Sequence, residues 1–305
     1  MQALFDAIAQ LPYSTEAQRY FHGRGGRFVG CEQWALDAFP PVWLLTSFEP
    51  VPEATLVQLH EALAARWAVV APPAEPLCWV FQCRQGGQTT TRLMAGAIPD
   101  PHIVQEQGAH YAVHLLRGQN HGLFLDMAEG RRWVRQHAAA RPDLRVLNLF
   151  AYTCAFSVAA LQGGAGKVVN VDMSAAALAM GQRNHALNGL AERAHFWAHD
   201  LFTSWGKVTR GGPYDLLIAD PPSYQKGSFV ATKDYARLVR RIPDLLAPGG
   251  HALLCLNAPE LDTAFLQHTI AEHAPALKVL ERLANPPTFA DAEPERALKV
   301  LVCTV

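Results

Sequence analysis

Apolar and polar residues follow two alternating patterns from residue 145 to the end of the sequence. Short runs rich in Val, Ile and Leu predict strands at 145–150, 167–172, 195–198, 214–219 and 251–257. Between them, apolar positions spaced as on one helix face predict helices at 156–162, 175–188, 234–246 and 260–273. This alternation is typical of a parallel sheet covered by helices, and runs at 278–284 and 297–305 would complete seven strands with an antiparallel last pair.

Two local signals predict helix ends in this region. The hydroxyl of Ser174 is placed to cap the helix that follows it. Pro248-Gly249-Gly250 predicts a helix stop, because neither residue type sustains a helix.

Residues 1–100 show a different pattern, with a helix at 53–67, a strand at 79–83 and loops rich in Pro and Gly. We expect a small N-terminal α/β domain there, which could serve in substrate recognition. Residues 101–305 would form the larger domain, opening with a hairpin (109–116 and 122–125) and a helix at 127–140. The fold class is therefore α/β, with a Rossmann-like seven-stranded sheet and a smaller N-terminal domain.

Composition and charge narrow the range of possible functions. Half of the 305 residues are hydrophobic and 17% are charged, which indicates a globular protein. The formal net charge is −1, so contact with nucleic acid must depend on a local patch. No segment predicts a signal peptide or a membrane span, so we expect a cytoplasmic protein without a membrane partner.

The metal-binding residue types do not predict a metal site. None of the six cysteines belongs to a Cys-x-x-Cys pair, which argues against zinc and against a disulfide framework. His110 and His114 fit one face of an extended segment, so the set that they could form with His121 is better explained without a metal.

Polar ligands of an open α/β sheet bind beyond the carboxyl ends of its strands. The loop after the first predicted strand, 148–155, has small residues that would let backbone N–H groups approach a ligand, but it lacks the Gly-x-Gly-x-x-Gly of dinucleotide enzymes. Asp172 ends the second strand, where a carboxylate can accept hydrogen bonds from both hydroxyls of an adenosine ribose. Asp200 ends the third and would lie near the adenine. A helix cap and an ordinary loop residue are the structural alternatives for the two aspartates.

The fourth strand ends in Asp220-Pro221-Pro222-Ser223-Tyr224. Consecutive prolines fix the backbone and would form a rigid rim that projects Asp220 beside a ligand. Tyr224 could then stack on a planar acceptor. A plain proline-rich turn is the alternative.

Several stretches in order resemble one family. They are Gly122-Leu123-Phe124-Leu125-Asp126 with Arg131-Arg132, Leu147-Asn148-Leu149-Phe150-Ala151-Tyr152-Thr153, Gly163-Gly164-Ala165, Val171-Asp172-Met173-Ser174, Asn188-Gly189-Leu190 and Asp220-Pro221-Pro222-Ser223-Tyr224. Together, from about residue 108 onward, they resemble the class I S-adenosylmethionine-dependent methyltransferases that modify bases of bacterial large-subunit (23S) ribosomal RNA. Glu295-Arg296-Ala297-Leu298-Lys299 resembles the closing hairpin of that family.

The resemblance implies S-adenosylmethionine as the cofactor and ribosomal RNA as the partner, with 101–305 as the methyltransferase domain. It implies that Phe124 and Asp126 lie over the methionine end of the cofactor, that 150–153 cradles it, and that Asp220 faces the transferred methyl group. The implied cofactor-binding residues are Phe124, Asp126, Arg132, Asn148, Phe150, Ala151, Tyr152, Thr153, Asp172, Met173, Ser174, Asp200, Leu201, Asp220, Pro221 and Pro222. Those expected at the acceptor are Asp220, Tyr224 and Asn257.

The acceptor atom depends on whether a thiolate is present. C5 of cytosine needs a nucleophile to add to the ring first, whereas a guanine nitrogen has its own lone pair. Cys255 is the candidate nucleophile, but its apolar neighbours predict a core position, and the nucleophile of C5-methylating relatives falls nearer Asn257. We therefore favour guanine nitrogen over cytosine C5.

Other readings stay open at this stage. The family commonly has glycine where this chain has Cys154, and a positive φ there would cost ~1 kcal/mol. A methyltransferase acting on a small molecule or protein, a non-catalytic S-adenosylmethionine- or RNA-binding protein, and a nicotinamide dehydrogenase remain alternatives. The loop 22–27 could bind phosphate and the arginines at 131, 132, 135, 141 and 145 could face RNA, although we favour an exposed turn and a solvated helix face as the explanations. The oligomeric state is not predicted.

Overall fold

The computed structural model describes residues 1–225 and 229–305, which form two compact units. The first unit comprises Met1–Asp126 and Pro286–Pro294, and the second comprises Met127–Asn285 and Glu295–Val305. The two structural units divide after Asp126. The domain boundary that the sequence suggests after residue 100 stays a prediction.

A five-stranded sheet, ordered β1-β2-β3-β4-β5, forms the centre of the first unit. Its strands are β1 (Gln18–His22), β2 (Trp34–Phe39), β3 (Val42–Ser47), β4 (Cys78–Gln85) and β5 (Gln88–Ala95), and its helices are α1 (Gln2–Ala9) and α2 (Glu53–Val70). The chain crosses from β3 to its parallel neighbour β4 through α2. Every residue of β2 and β3 is buried, and α2 adds Leu56, Leu59, Leu63 and Trp67 to the same core. The expected small α/β domain is confirmed in its fold.

The hairpin predicted before the larger sheet is wrong in its pairing. β7 (Ala109–Val113) pairs with the preceding strand β6 (His102–Glu106), and 122–125 forms no strand. The two-residue turn consists of Gln107 and Gly108, with φ of 50° and 76°. Such a turn, with both residues left-handed, matches the twist of a tight hairpin.

The second unit contains a seven-stranded sheet. Its strands are β8 (Arg145–Leu149), β9 (Lys167–Asp172), β10 (Ala194–Ala198), β11 (Tyr214–Ala219), β14 (Leu246–Leu256), β15 (Lys278–Arg282) and β16 (Lys299–Thr304), while β12 (Tyr224–Gln225) and β13 (Phe229–Val230) pair separately. The helices are α3 (Ala128–Ala140), α4 (Ala155–Gln162), α5 (Ala175–Leu187), α6 (Trp205–Gly211), α7 (Ala231–Val239), α8 (Ile242–Leu245) and α9 (Thr263–His273).

Strand order in this sheet is β10-β9-β8-β11-β14-β16-β15. The first five strands are mutually parallel, and β16 runs antiparallel to both β14 and β15. The order reverses at β8, so the connections from β8 and β11 leave toward opposite sides, and the crevice between them is the expected ligand position. The Rossmann-like seven-stranded sheet with an antiparallel final pair is confirmed.

One predicted helix is wrong in its extent, whereas the predicted helix stop after it holds. The segment 234–246 is two helices, α7 and α8, because Pro243 lies in the first turn of α8 and supplies no N–H to continue α7. Pro248-Gly249-Gly250 lies within β14, after α8 has already ended at Leu245. Between the paired residues Leu246 and His251 the strand bulges, with φ of 72° at Gly249.

Within the described ranges, none of the helices combines the length and apolar character needed to cross a bilayer.

Candidate active site

Three neighbouring strands bring predicted site residues to one edge of the seven-stranded sheet. Leu149, at the end of β8, is aligned in register with β9 on one side and β11 on the other. The next position along each of these strands is Phe150, Asp172 or Asp220. Because aligned positions on adjacent parallel strands lie side by side, these three residues leave the sheet together.

The loop after β8 has three left-handed residues that are not glycine. Phe150, Tyr152 and Cys154 have φ of 56°, 47° and 62°. Its amides bond within the protein: Ala151 N–H donates to the Val171 carbonyl at 3.1 Å, and Cys154 N–H donates to the Ala151 carbonyl at 2.7 Å. The loop is therefore folded tightly against β9, and these two amides are committed to internal hydrogen bonds. The positive φ considered for Cys154 is present.

Asp172 is fixed by two backbone amides. Its Oδ2 accepts from Tyr152 N–H and its Oδ1 accepts from Ser174 N–H, each at 2.8 Å. Ser174 in turn caps α5, because its Oγ accepts from Ala177 N–H at 3.1 Å, as predicted. Since each carboxylate oxygen can accept more than one hydrogen bond, Asp172 keeps capacity for two hydroxyl groups.

A pocket lies beside Asp172 at the ends of β8, β9 and β10. Its lining residues are Phe150, Val171, Asp172, Met173, His199, Asp200, Leu201 and Phe202. Five of these are predicted site residues. Asp200 also begins a 3-10 helix, since its Oδ1 accepts from Phe202 N–H at 2.8 Å.

Asp220 and the two prolines after it form the exit of β11. Pro221 is buried, whereas Asp220 and Pro222 are half-buried. Tyr224 is 71% exposed and pairs with Val230 at the start of the short β12–β13 ribbon. The tyrosine ring is therefore accessible to a ligand, as stacking requires.

A tyrosine that the sequence did not single out lies beneath this exit. Tyr235 of α7 is fully buried, and its hydroxyl donates to the Cys255 carbonyl at 2.6 Å. Burial raises the pKa of Tyr235 well above its usual value, with smaller contributions from the charges of Cys255 and Asp220. The phenol is thus a neutral donor that ties α7 to the carboxyl end of β14, close to Asp220.

The exit of β14 is anchored by a buried lysine. Asn257 directly follows β14 and is exposed. The next residue, Ala258, accepts from Lys299 Nζ through its carbonyl at 2.7 Å, and Lys299 also donates to the Glu295 carbonyl at 3.0 Å. Lys299 is fully buried, and burial lowers its pKa. The segment that resembles the closing hairpin therefore holds the loop that carries Asn257.

Other predicted residues lie elsewhere. Asn148 is 1% exposed and donates through Nδ2 to Asn170 Oδ1 at 2.9 Å, so its side chain is part of the sheet interior. Arg132 is exposed and forms an ion pair with Glu129. Ala151 and Thr153 are buried, so their side chains expose little surface to a ligand.

Phe124 and Asp126 belong to the first unit. Phe124 is 42% exposed, and their roles toward the cofactor stay predictions.

One of the arginines suggested as an RNA-facing patch is not accessible. Arg131 is 3% exposed. Arg145 donates through Nη2 to the Gly211 carbonyl. The solvated-face alternative suits Arg132, which is paired with Glu129, better than a patch does.

Three residues at or near the site were not singled out in the sequence. His199 and Phe202 line the pocket on either side of Asp200, and Tyr235 lies on a helix predicted without a role. An aromatic residue two positions after a strand-ending aspartate was the available signal for Phe202.

The strand order and the carboxylates at neighbouring strand exits define a class I methyltransferase fold. The chain belongs to the S-adenosylmethionine-dependent methyltransferase family, whose model matches residues 18–304. This membership confirms the resemblance and identifies S-adenosylmethionine as the cofactor. It excludes the nicotinamide dehydrogenase.

Similar proteins support the same assignment. The chain is 32% identical over 197 residues to ribosomal RNA large subunit methyltransferase I of Aeromonas salmonicida, covering 63% of this chain and 49% of that protein. It is 39% identical over 157 residues to ribosomal RNA large subunit methyltransferase K/L of Psychrobacter sp., covering 49% and 19%. The chain thus spans half or less of the length of these curated relatives.

A solved structure matches over the whole chain. It is the crystal structure of SMU.776, a provisionally assigned methyltransferase complexed with SAH. The TM-score is 0.81 at 26% identity, with 100% of this chain and 79% of that chain covered.

The lining of the pocket beside Asp172 has the chemical character that an adenosine site needs. Phe150, Leu201 and Phe202 give it apolar walls, while two carboxylates, Asp172 and Asp200, lie on its rim. A planar base with a polar edge and a ribose with two hydroxyls need this combination. Within the described ranges, no group of three or more His, Cys, Asp or Glu side chains is arranged to hold a metal ion.

Proposed function

We propose that this chain transfers a methyl group from S-adenosylmethionine to a base of large-subunit ribosomal RNA, and that the acceptor is a guanine nitrogen. The choice of RNA is supported by the names of both curated relatives, which are ribosomal RNA large subunit methyltransferases. Such a substrate would place the chain in the cytoplasm, where ribosomes are assembled.

The proposed cofactor site uses the three strand exits. Asp172 would bind the ribose hydroxyls and Asp200 the exocyclic amine of adenine, with Met173, Ser174 and Leu201 beside them. The backbone of 150–153 and the side chains of Phe124, Asp126 and Arg132 would hold the methionine end. When bound, S-adenosylmethionine supplies a methyl group activated on a sulfonium.

The acceptor site lies at the exits of β11 and β14 in this proposal. Tyr224 would stack on the base, while Asp220 and Asn257 would orient it by hydrogen bonds, with Pro221 and Pro222 keeping Asp220 in place. Methyl transfer needs acceptor, methyl group and sulfur in line at about 3 Å, with water excluded. The protein groups therefore act mainly by positioning.

The preference for a guanine nitrogen as the acceptor rests on the burial of two cysteines. Cys255 is fully buried on β14 between two buried leucines, and a cysteine in apolar surroundings is a poor nucleophile. Cys154, the other cysteine near the sheet edge, is also fully buried, and burial raises its pKa well above the usual value. Neither thiol supports covalent addition to a cytosine ring.

The test is methyl transfer followed by nucleoside analysis. The purified chain is incubated with isotopically labelled S-adenosylmethionine and either large-subunit or small-subunit ribosomal RNA, and the digested nucleosides are separated by mass spectrometry. Label in a methylguanosine of the large-subunit RNA is the expected result. Label in 5-methylcytidine would contradict the acceptor, and labelled small molecules or proteins without labelled RNA would contradict the substrate.

A further inference from the structure

Arginine side chains gather within the first unit. They come from β1 (Arg19), the loop after β1 (Arg24) and β4 (Arg84). Their charges act on one another, because Arg19 lowers the pKa of Arg24, and both of them lower that of Arg84, whereas the charge of Asp37 raises it. Burial is the larger cause in each case and brings the pKa of Arg84 to about 10.

Only one of the three arginines has a close carboxylate partner. Arg19 forms a two-pronged ion pair with the buried Asp37, at 2.7 Å and 2.9 Å. Asp126 also acts electrostatically on Arg19. In the described part of the chain, no carboxylate lies within 4.0 Å of Arg24 or Arg84.

The two other arginines both lie close to the ring of Phe48. The guanidinium carbon of Arg24 lies 4.0 Å from the centre of this ring, and that of Arg84 lies 5.9 Å from it. Arg24 is exposed and Arg84 is half-buried, so a ligand from solvent can reach both. Packing against an aromatic ring supports a guanidinium without using its N–H donors.

Neutral histidines orient two of the guanidiniums. His121 Nε2 lies 3.3 Å from Arg84 Nη2, and His22 Nδ1 lies 3.0 Å from Arg19 Nη1. Burial, followed by the nearby arginines among other groups, lowers the pKa of each histidine to about 4. At neutral pH both rings are therefore uncharged acceptors, which fix the arginines without adding positive charge.

Positive charges that are close together and partly desolvated oppose each other, and an anion between them would remove that cost. We propose that Arg24 and Arg84, which both pack against Phe48, form a binding site for a phosphate of the RNA backbone. A planar guanidinium matches phosphate geometry through paired N–H donors. Because Arg84 Nε donates to Gln82 Oε1 and its Nη2 lies beside His121, Arg84 would reach the phosphate through Nη1. The site would give the N-terminal unit a part in substrate recognition although the net charge of the chain is −1.

The identity of the ligand as RNA rests on the proposed function, whereas the phosphate chemistry rests on the arginines alone. A free phosphate would use the same donors, so the test includes both. Asp37 already neutralises Arg19, which explains why the site needs the other two arginines.

Binding of a fluorescent single-stranded oligoribonucleotide tests the proposal. Arg24→Gln and Arg84→Gln are each expected to weaken binding by about tenfold or more, because each loses a charge-assisted contact. The slope of log affinity against log salt should become shallower by about 0.7 for each lost contact. Arg92→Gln is the matched control, since Arg92 is in the same unit but pairs with Glu53 at 2.9 Å on the surface.

Thermal unfolding of the same variants separates binding from folding. Arg24→Gln should keep or raise the melting temperature, because it relieves repulsion, while a structural arginine would lower it. Equal RNA affinity in wild type and both site variants would overturn the proposal. The proposal would also be overturned if a site variant bound RNA more weakly and its melting temperature fell in parallel.

Titration with inorganic phosphate distinguishes the ligand sources. Arginine-dependent binding of phosphate without any binding of RNA would overturn the RNA assignment. Arginine-dependent RNA binding would sustain the site even if no methylated nucleoside were found, in which case the proposed methyl transfer alone would fail.

Discussion

The thiol of Cys154 fills the space that a side chain at Gly181 would need. A Cβ added to Gly181 on α5 would lie 2.5 Å from Cys154 Sγ and 3.1 Å from its Cβ. Cys154 itself is fully buried and has a φ of 62°. The cysteine thus adopts a backbone conformation that glycine adopts without strain, and a glycine on the neighbouring helix makes room for its side chain.

This relationship predicts a compensating pair of substitutions. Gly181→Ala should destabilise the second unit by about 1–3 kcal/mol, because the overpacking outweighs the better helix propensity of alanine. Cys154→Gly relieves left-handed strain of ~1 kcal/mol but removes a packed thiol. In Cys154→Gly/Gly181→Ala the clash is absent, so the double variant should be more stable than the sum of the single effects predicts.

Chemical denaturation of the four proteins measures this coupling. A control pair is Cys154→Gly with Gly189→Ala. An added Cβ at Gly189 meets nothing within 4 Å, and the strain that alanine suffers at its φ of 68° does not involve Cys154. If the changes in unfolding free energy of Cys154→Gly and Gly181→Ala simply add up in their double variant, the thiol does not restrict position 181.

Asp172 is predicted to govern cofactor affinity. Asp172→Ala removes the acceptor of two proposed ribose hydrogen bonds. It also removes the carboxylate to which the amides of Tyr152 and Ser174 donate. The Kd for S-adenosylhomocysteine should rise about 10²-fold, as expected for lost hydrogen bonds to a charged group. Calorimetry measures the Kd, with the exposed Glu192→Gln as a control. Unchanged affinity would remove Asp172 from the site.

Asp220 is predicted to govern turnover instead. Asp220→Ala should lower the methylation rate about 10²-fold or more by releasing the base from its aligned position, while the Kd of the cofactor changes little. Single-turnover assays with ribosomal RNA measure the rate, and Asp244→Ala removes an exposed carboxylate of the same unit for comparison. Full activity in Asp220→Ala would contradict its role.

The strand exits could be predicted because β-branched runs mark strand ends and the topology aligns them. Asp172, Asp200 and Asp220 were found in this way from local sequence alone. Phe202 and Tyr235 were missed because their roles come from tertiary packing against the exits. The sequence likewise could not join Arg19, Arg24 and Arg84, which approach one another only through the pairing of β1 to β4 across the first sheet.

The misassigned hairpin shows the same limit at shorter range. Gln107-Gly108 turns the chain, but nothing near Gln107 indicates that it adopts a left-handed φ of 50°. The strand before the turn, His102–Glu106, was therefore left out, and a later apolar run was taken as the partner of β7.

A buried chain of hydrogen bonds predicts acid sensitivity of the second unit. Ser157 Oγ lies 2.8 Å from His185 Nε2, His185 Nδ1 lies 2.7 Å from the Gly181 carbonyl, and Asn170 Nδ2 donates to Ser157 at 3.1 Å. Nδ1 must carry the proton that reaches the carbonyl, so Nε2 accepts from the serine. Burial lowers the pKa of His185 below its usual 6.5.

The sign of the pH effect follows from proton uptake. As pH falls below 6.5, the unfolded chain binds a proton at position 185 that the folded unit does not. Stability should therefore be complete above this pH and decrease below it, by up to ~1.4 kcal/mol per pH unit for this group. His185→Gln should make the slope of unfolding free energy against pH shallower, whereas His268→Gln, at an 81% exposed side chain, should not. An unchanged slope in His185→Gln would contradict this account.

Cys255 separates the two possible acceptor chemistries. Covalent addition to cytosine C5 requires a thiolate, so a nucleophilic Cys255 could not be replaced without loss of nearly all turnover. In the proposed nitrogen methylation the residue only packs, and its backbone carbonyl, which accepts from Tyr235, survives any side-chain change. Cys255→Ala should therefore keep the methylation rate within about threefold of wild type and cost ~1–2 kcal/mol of stability, a cavity term for one buried sulfur. Cys303→Ala, another buried cysteine in the same sheet, controls for that loss of packing. A Cys255→Ala protein that folds and binds the cofactor but transfers no methyl group would indicate that the acceptor is cytosine C5.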